Sequence, residues 1–109
     1  MNENRPFLVV RARPKPEARE RFERWFRQVH LRDIGRIPGF VRIRAGFTPA
    51  GTALGIYDFE SNDVVQTTLA SSEAAYARGT WEQWAPELEE LLIEIFAPLF
   101  PLPIYESVC

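Results

Sequence analysis

Much of what usually betrays a function is missing from these 109 residues. The chain holds one cysteine, Cys109, and one histidine, His30. A lone cysteine cannot close an internal disulfide or build a multi-thiolate site, and a lone imidazole cannot form a histidine pair for a metal. No glycine-rich phosphate loop, GxSxG or HExxH is present. Neither a metal nor a cofactor is therefore expected. No apolar run approaches the roughly 18 residues of a membrane span. The start, "MNENRPFLVV", lacks the apolar core and cleavage site of a signal peptide, so no membrane association and a cytoplasmic location are expected. Thirteen basic against fifteen acidic side chains leave a net charge of −2, which gives no pull towards nucleic acid.

What remains is the composition of a folded chain, 46% hydrophobic and 13% aromatic, of a length that suits a single domain over 1–109. "PFLVVRA" reads as a strand. After the "RPKPE" break, Ala18, Phe22, Trp25, Phe26 and Val29 recur at helical spacing, with arginines and glutamates opposite. Pro38-Gly39 stops that helix. "FVRIRAGF" (40–47) alternates with period two, and "ALGIYDF" (53–59) follows a turn as the return strand of a hairpin, with Leu54 and Ile56 on one face and Gly55, Tyr57 and Phe59 on the other. Ser61, Asn62 and Asp63 offer caps for a second helix from Val64 to Tyr76, punctuated by Gly79. Thr80 then opens a third helix, with Trp81, Trp84, Leu88, Leu91, Leu92 and Ile95 in one stripe. "LPIYESV" (102–108) reads as the last strand. The order β-α-β-β-α(α)-β is that of an α+β, ferredoxin-like split β-α-β sandwich. Its sheet of four antiparallel strands, helices on one face only, leaves an apolar second face, and a second copy covering it gives a homodimer.

Three groups of residues carry candidate chemistry. His30 projects about 90° from the centre of its helical stripe, on the shoulder that borders any pocket between helix and sheet. Its imidazole suits proton transfer near neutrality, and Asp33, one turn on, is placed to orient it. The bland alternative is a cation near a helix C-terminus. Arg44 and Arg42 share a strand face; an inward guanidinium binds a carboxylate or phenolate, an outward one is an interface charge, and Arg42 is placed to pair with Asp58. Tyr57, Tyr76, Trp81 and Trp84, with Trp25, are suited to an apolar pocket for a small aromatic ligand, while tryptophans at helical spacing also make ordinary core. Glu87, Glu89, Glu90 and Glu94 read as a solvated helix face.

Trp25, His30, Leu31 and Asp33, then Pro38-Gly39-Phe40 leading into a strand that bears Arg44, form a pattern that resembles the dimeric α/β-barrel superfamily and, more narrowly, its EthD-like group. "LGIYDFES" and "AYARGTWEQWAPEL" extend the likeness, which runs from Arg5 to Ser107. It implies ferredoxin-like monomers paired sheet to sheet, with a pocket between sheet and helices in each. Relatives of this architecture include cofactor-independent monooxygenases, polyketide cyclases, muconolactone isomerase and small lyases. The cyclases use a His–Tyr pair, for which His30 with Tyr57 or Tyr76 would be the analogue. The expected function is a small homodimer whose pocket takes an apolar or aromatic metabolite. Cofactor-independent isomerisation, cyclisation or elimination is the expected reaction, with His30 as base. The alternative is a non-catalytic ligand-binding or assembly module on the same fold.

Overall fold

Strand β1 (Phe7–Pro14) runs through the middle of the sheet and ends where prolines crowd the chain. The computed structural model describes residues 4–98. Pro16 opens a 3-10 turn at Pro16–Ala18, where its missing N–H costs nothing, and α1 (Arg19–Trp25) follows. A five-residue π turn (Phe26–His30) joins α1 to α2 (Leu31–Gly35). Gly39 then reverses the chain at φ +103°, packed so closely on Thr68 that no side chain fits there. Strands β2 (Phe40–Phe47) and β3 (Ala53–Phe59) form the expected hairpin.

All pairings are antiparallel, in the order β2-β3-β1-β4, with β4 (Leu88–Phe96) beside β1. The fold is thus the α+β, ferredoxin-like sandwich, with the helices on one face of the sheet. Ala53, Gly55, Tyr57 and Phe59 face the helices, and Leu54 and Ile56 face away. A bulge between Phe40 and Arg42 interrupts the alternation of β2, and Phe40 packs on Tyr57 and Phe59 with ring centroids at 5.8 and 4.8 Å. Arg42 does stand opposite Asp58 in register, but the ion pair is diagonal, from Arg44 at 3.6 Å.

The second half of the chain departs from its sequence reading. The helix expected from Val64 to Tyr76 is split into a 3-10 turn (Asn62–Val64), α3 (Val65–Leu69) and α4 (Ser72–Thr80). The side-chain cap is Ser71, whose Oγ accepts from the Ala74 N–H at 3.1 Å, and Gly79 lies inside α4. The third helix does not form. Trp81–Glu87 is a 3-10 segment, and the stripe assigned beyond it is strand β4. Pro86 explains the change: a proline there lacks the N–H and crowds the preceding turn, so no α-helix passes through it. Glu87, Glu89 and Glu90 accordingly reach Arg21, Arg13 and Arg11 rather than lining a helix face. The strand expected at 102–108 lies outside the described residues.

An aromatic core joins the two layers. Phe22, fully buried, meets Trp84 edge-on at 5.3 Å, and Trp25 meets Trp81 edge-on at 5.0 Å. Each such side chain contributes about 1.5–3 kcal/mol by leaving water.

Candidate functional site

The π turn decides where the histidine goes. The Leu31 N–H reaches back five residues to the Phe26 carbonyl, so this turn holds one residue more than its α counterpart. Ala18, Phe22, Trp25 and Phe26 form one buried stripe, and His30, Asp33, Ile34 and Ile37 form another. At about 100° per residue the two stripes fall out of phase by one residue, and the wider turn brings them back into line. His30, read from the sequence as a shoulder position, is instead 1% exposed and aimed at the sheet.

There it meets Tyr57, which is fully buried on β3; His30 Nε2 and the Tyr57 hydroxyl are 2.7 Å apart. The tyrosine lies along its own strand across Gly55, and a methyl group at 55 would collide with the phenol ring. Trp25, Phe26 and Trp81 surround the imidazole with centroids at 5.4, 4.9 and 5.0 Å. Stripped of water by these rings, His30 has its pKa lowered to about 4, and the same burial pushes the Tyr57 phenol well above its usual range. Both groups are neutral at pH 7. His30 Nδ1 is buried without a partner among the described residues, and Nε2 is held by the phenol. In one tautomer the phenol donates to the ring; in the other the ring donates to the phenol, whose own O–H is then free.

The pair borders a cavity of about 370 Å3 between sheet and helices. Leu8, Val10, Ile93 and Ile95 line it from the sheet, Ile34 and Ile37 from α2 and the loop after it, and Ala74, Ala77 and Arg78 from α4. The two alanines leave the space that larger side chains would fill. Trp81 also lines it. Apart from His30, Tyr57, the Trp81 indole and Arg78, the lining side chains are hydrocarbon.

Of the residues singled out in the sequence, the structure brings His30, Tyr57 and Trp81 together at this cavity. Trp25 packs behind the imidazole, and Trp84 lies in the core against Phe22. Neither lines the cavity. Asp33 makes no bond to His30. Its Oδ1 is 3.8 Å from Arg32 Nε, and it borders a separate hollow with Arg36, Glu73 and Tyr76. Tyr76, 65% exposed, belongs to that hollow as well. Arg44 is on the far side of the sheet, paired with Asp58. Sequence reasoning missed Arg78, although Ala74, Ala77 and Arg78 at three- and four-residue spacing give the signal for one helix face. It also missed Ile93 and Ile95, because their strand was read as helix.

No family model and no curated protein sequence matches the chain. Its structure, however, superposes on solved structures over nearly all of its length. An EthD family protein from Bacillus halodurans matches with TM-score 0.69 at 15% identity, covering 86% of this chain and 99% of that one. The two share the α+β, ferredoxin-like fold. SnoaB, a cofactor-independent oxygenase from Streptomyces nogalater, matches with TM-score 0.66 at 20% identity, over 92% of this chain and 98% of its own. Rv0793 from Mycobacterium tuberculosis matches with TM-score 0.67 at 15% identity, over 90% and 98%. Likeness at such identities speaks for the fold, and the reaction has to be argued from the site.

Proposed function

We propose that the cavity binds a small apolar ring compound and that Tyr57, backed by His30, exchanges a proton with it. The observation that carries this reading is a hydrogen-bonded imidazole–phenol pair, shut off from bulk water, at an otherwise greasy cavity. Since Nε2 is occupied and Nδ1 is enclosed, the phenol oxygen is the contact through which a ligand reaches the ring. In the forward step a ligand C–H bond breaks and its proton passes to the Tyr57 oxygen. The phenol's own proton passes to Nε2, leaving a ligand enolate beside an imidazolium. A ring with a pKa of about 4 is a weak base on its own. The enolate formed next to it restores its basicity, because opposite charges in an apolar site of low dielectric stabilise each other strongly. Such proton transfer opens isomerisation and cyclisation routes and typically contributes about 10²–10⁴-fold in rate.

The reading includes a homodimer formed through the outer sheet face, supported by the exposed Leu54, Leu92 and Phe96. A second reading, ligand binding without catalysis, draws on the lowered basicity of His30. Deuterium exchange at the acidic α-carbon of 2-tetralone in D2O separates the two. The wild-type protein is expected to accelerate exchange, and Tyr57→Phe and His30→Gln to abolish the acceleration. Binding of 2-tetralone with exchange at the buffer rate would leave only the non-catalytic reading.

A further inference from the structure

Among the described residues, Arg78 is the one charged side chain in the cavity wall. It is exposed, whereas His30 and Tyr57 are buried, so the cavity runs from a neutral floor to a cationic rim. The guanidinium is already positioned: NH1 donates to the Leu69 carbonyl at 3.0 Å, tying the last turn of α4 to the end of α3. One of its five N–H donors is thereby used. Seven other arginines, Arg11, Arg13, Arg19, Arg21, Arg24, Arg32 and Arg44, each stand within 4 Å of a carboxylate, and those without one, such as Arg27, Arg36 and Arg42, do not line this cavity. Arg78 has no carboxylate partner among the described residues, and no acidic side chain lines the cavity with it. A planar fork held at the mouth of an apolar hollow, with its charge unanswered, is built to meet an anion.

Resting on the ligand-binding reading above, we infer that the cavity selects apolar monoanions. A flat hydrocarbon body lies inward towards His30 and Tyr57, and a carboxylate or phenolate stays at the rim on Arg78. The charged end keeps partial contact with water, so its desolvation cost is small, while the body takes the full benefit of burial. A neutral analogue of the same shape keeps only the second contribution. Dianions are disfavoured because one guanidinium leaves the second charge unpaired against hydrocarbon, and short polar acids because they have little apolar surface to bury.

The probes are 2-naphthoate and its neutral near-isostere 2-naphthamide, with binding read from calorimetry at low salt. Wild-type protein is expected to bind naphthoate about tenfold more tightly than the amide, a difference that shrinks at high salt. Arg78→Gln, whose amide can still donate to Leu69, should erase the preference by weakening naphthoate alone, and Arg78→Lys should retain part of it. Equal binding of both probes, or naphthoate binding untouched in Arg78→Gln, would overturn the role of Arg78 and leave the cavity reading standing. Failure of wild-type protein to bind either probe would overturn both.

Discussion

At the scale of residues, the consequence of burial is clearest for His30. The unfolded chain takes up a proton on this ring near pH 6.5, whereas the folded chain resists until about pH 4. Between these values the unfolded state binds more protons, so stability is full above about 6.5 and is lost as the pH falls towards 4. The loss attributable to this one group is about 3 kcal/mol. Urea melts of the wild type between pH 7 and pH 4 should therefore steepen their decline relative to His30→Gln. Parallel curves for the two proteins would remove the claim that the ring is buried neutral. Gly55 is the second residue with a sharp requirement. Gly55→Ala should push Tyr57 off its strand, separate it from His30 and cost about 1–3 kcal/mol, the usual range for an overpacked core. An unchanged melting temperature would contradict the close approach of ring and backbone.

At the scale of elements, the π turn between α1 and α2 makes the most specific prediction. Deleting the exposed Gln28 converts the turn to plain α-helix and keeps both buried stripes on one face, so the chain should still fold. His30 moves along the axis by about one residue's rise, 1.5 Å, and loses Tyr57. Circular dichroism should show a folded protein, and the exchange of 2-tetralone should fall to the buffer rate. Collapse of the fold would mean that the turn is structural. No pattern of apolar residues announces such a turn, because each half of the helix is regular by itself. Strand β4 was hidden for a different reason. Leu91, Leu92 and Ile95 fit a helical stripe as well as they fit two faces of a strand, and only Pro86 argued against helix. By contrast β1, the 40–59 hairpin and α1 were legible because one period dominates each of them. Within the site, His30 stood out as the single histidine of the chain, on the shoulder of an amphipathic helix, and Tyr57 as an amphipathic aromatic on the strand face it shares with Gly55 and Phe59. Arg78 did not, since an arginine in the last turn of a helix is commonplace.

At the scale of the molecule, the sheet presents Leu54, Leu92 and Phe96 to solvent, 38%, 44% and 43% exposed, on the face away from the helices. Phe96 stacks on Phe7 across β1 and β4 with centroids 5.3 Å apart, which extends that apolar surface. Arg11, Arg13 and Glu90 form a charged network beside it. A twin copy turned by a two-fold axis would cover the patch and bring like elements into register. Sedimentation equilibrium should give the mass of two chains for the wild type and of one for Leu92→Lys, which places an unpaired charge in the contact. A wild type sedimenting as one chain would remove the homodimer. The described residues thus present an apolar sheet face on one side and a cavity under the helices on the other.

A neutral imidazole, bonded to Tyr57, stands at an apolar cavity. Because the chain has a single histidine, one nitrogen-edited NMR titration of His30 tests this without assignment ambiguity. The ring should stay neutral from pH 8 down to about 5, protonate near 4, and rise towards ordinary values in Tyr57→Phe as water enters. A wild-type midpoint near 6.5, unmoved by that substitution, would mean an open, unpaired histidine and would contradict the account.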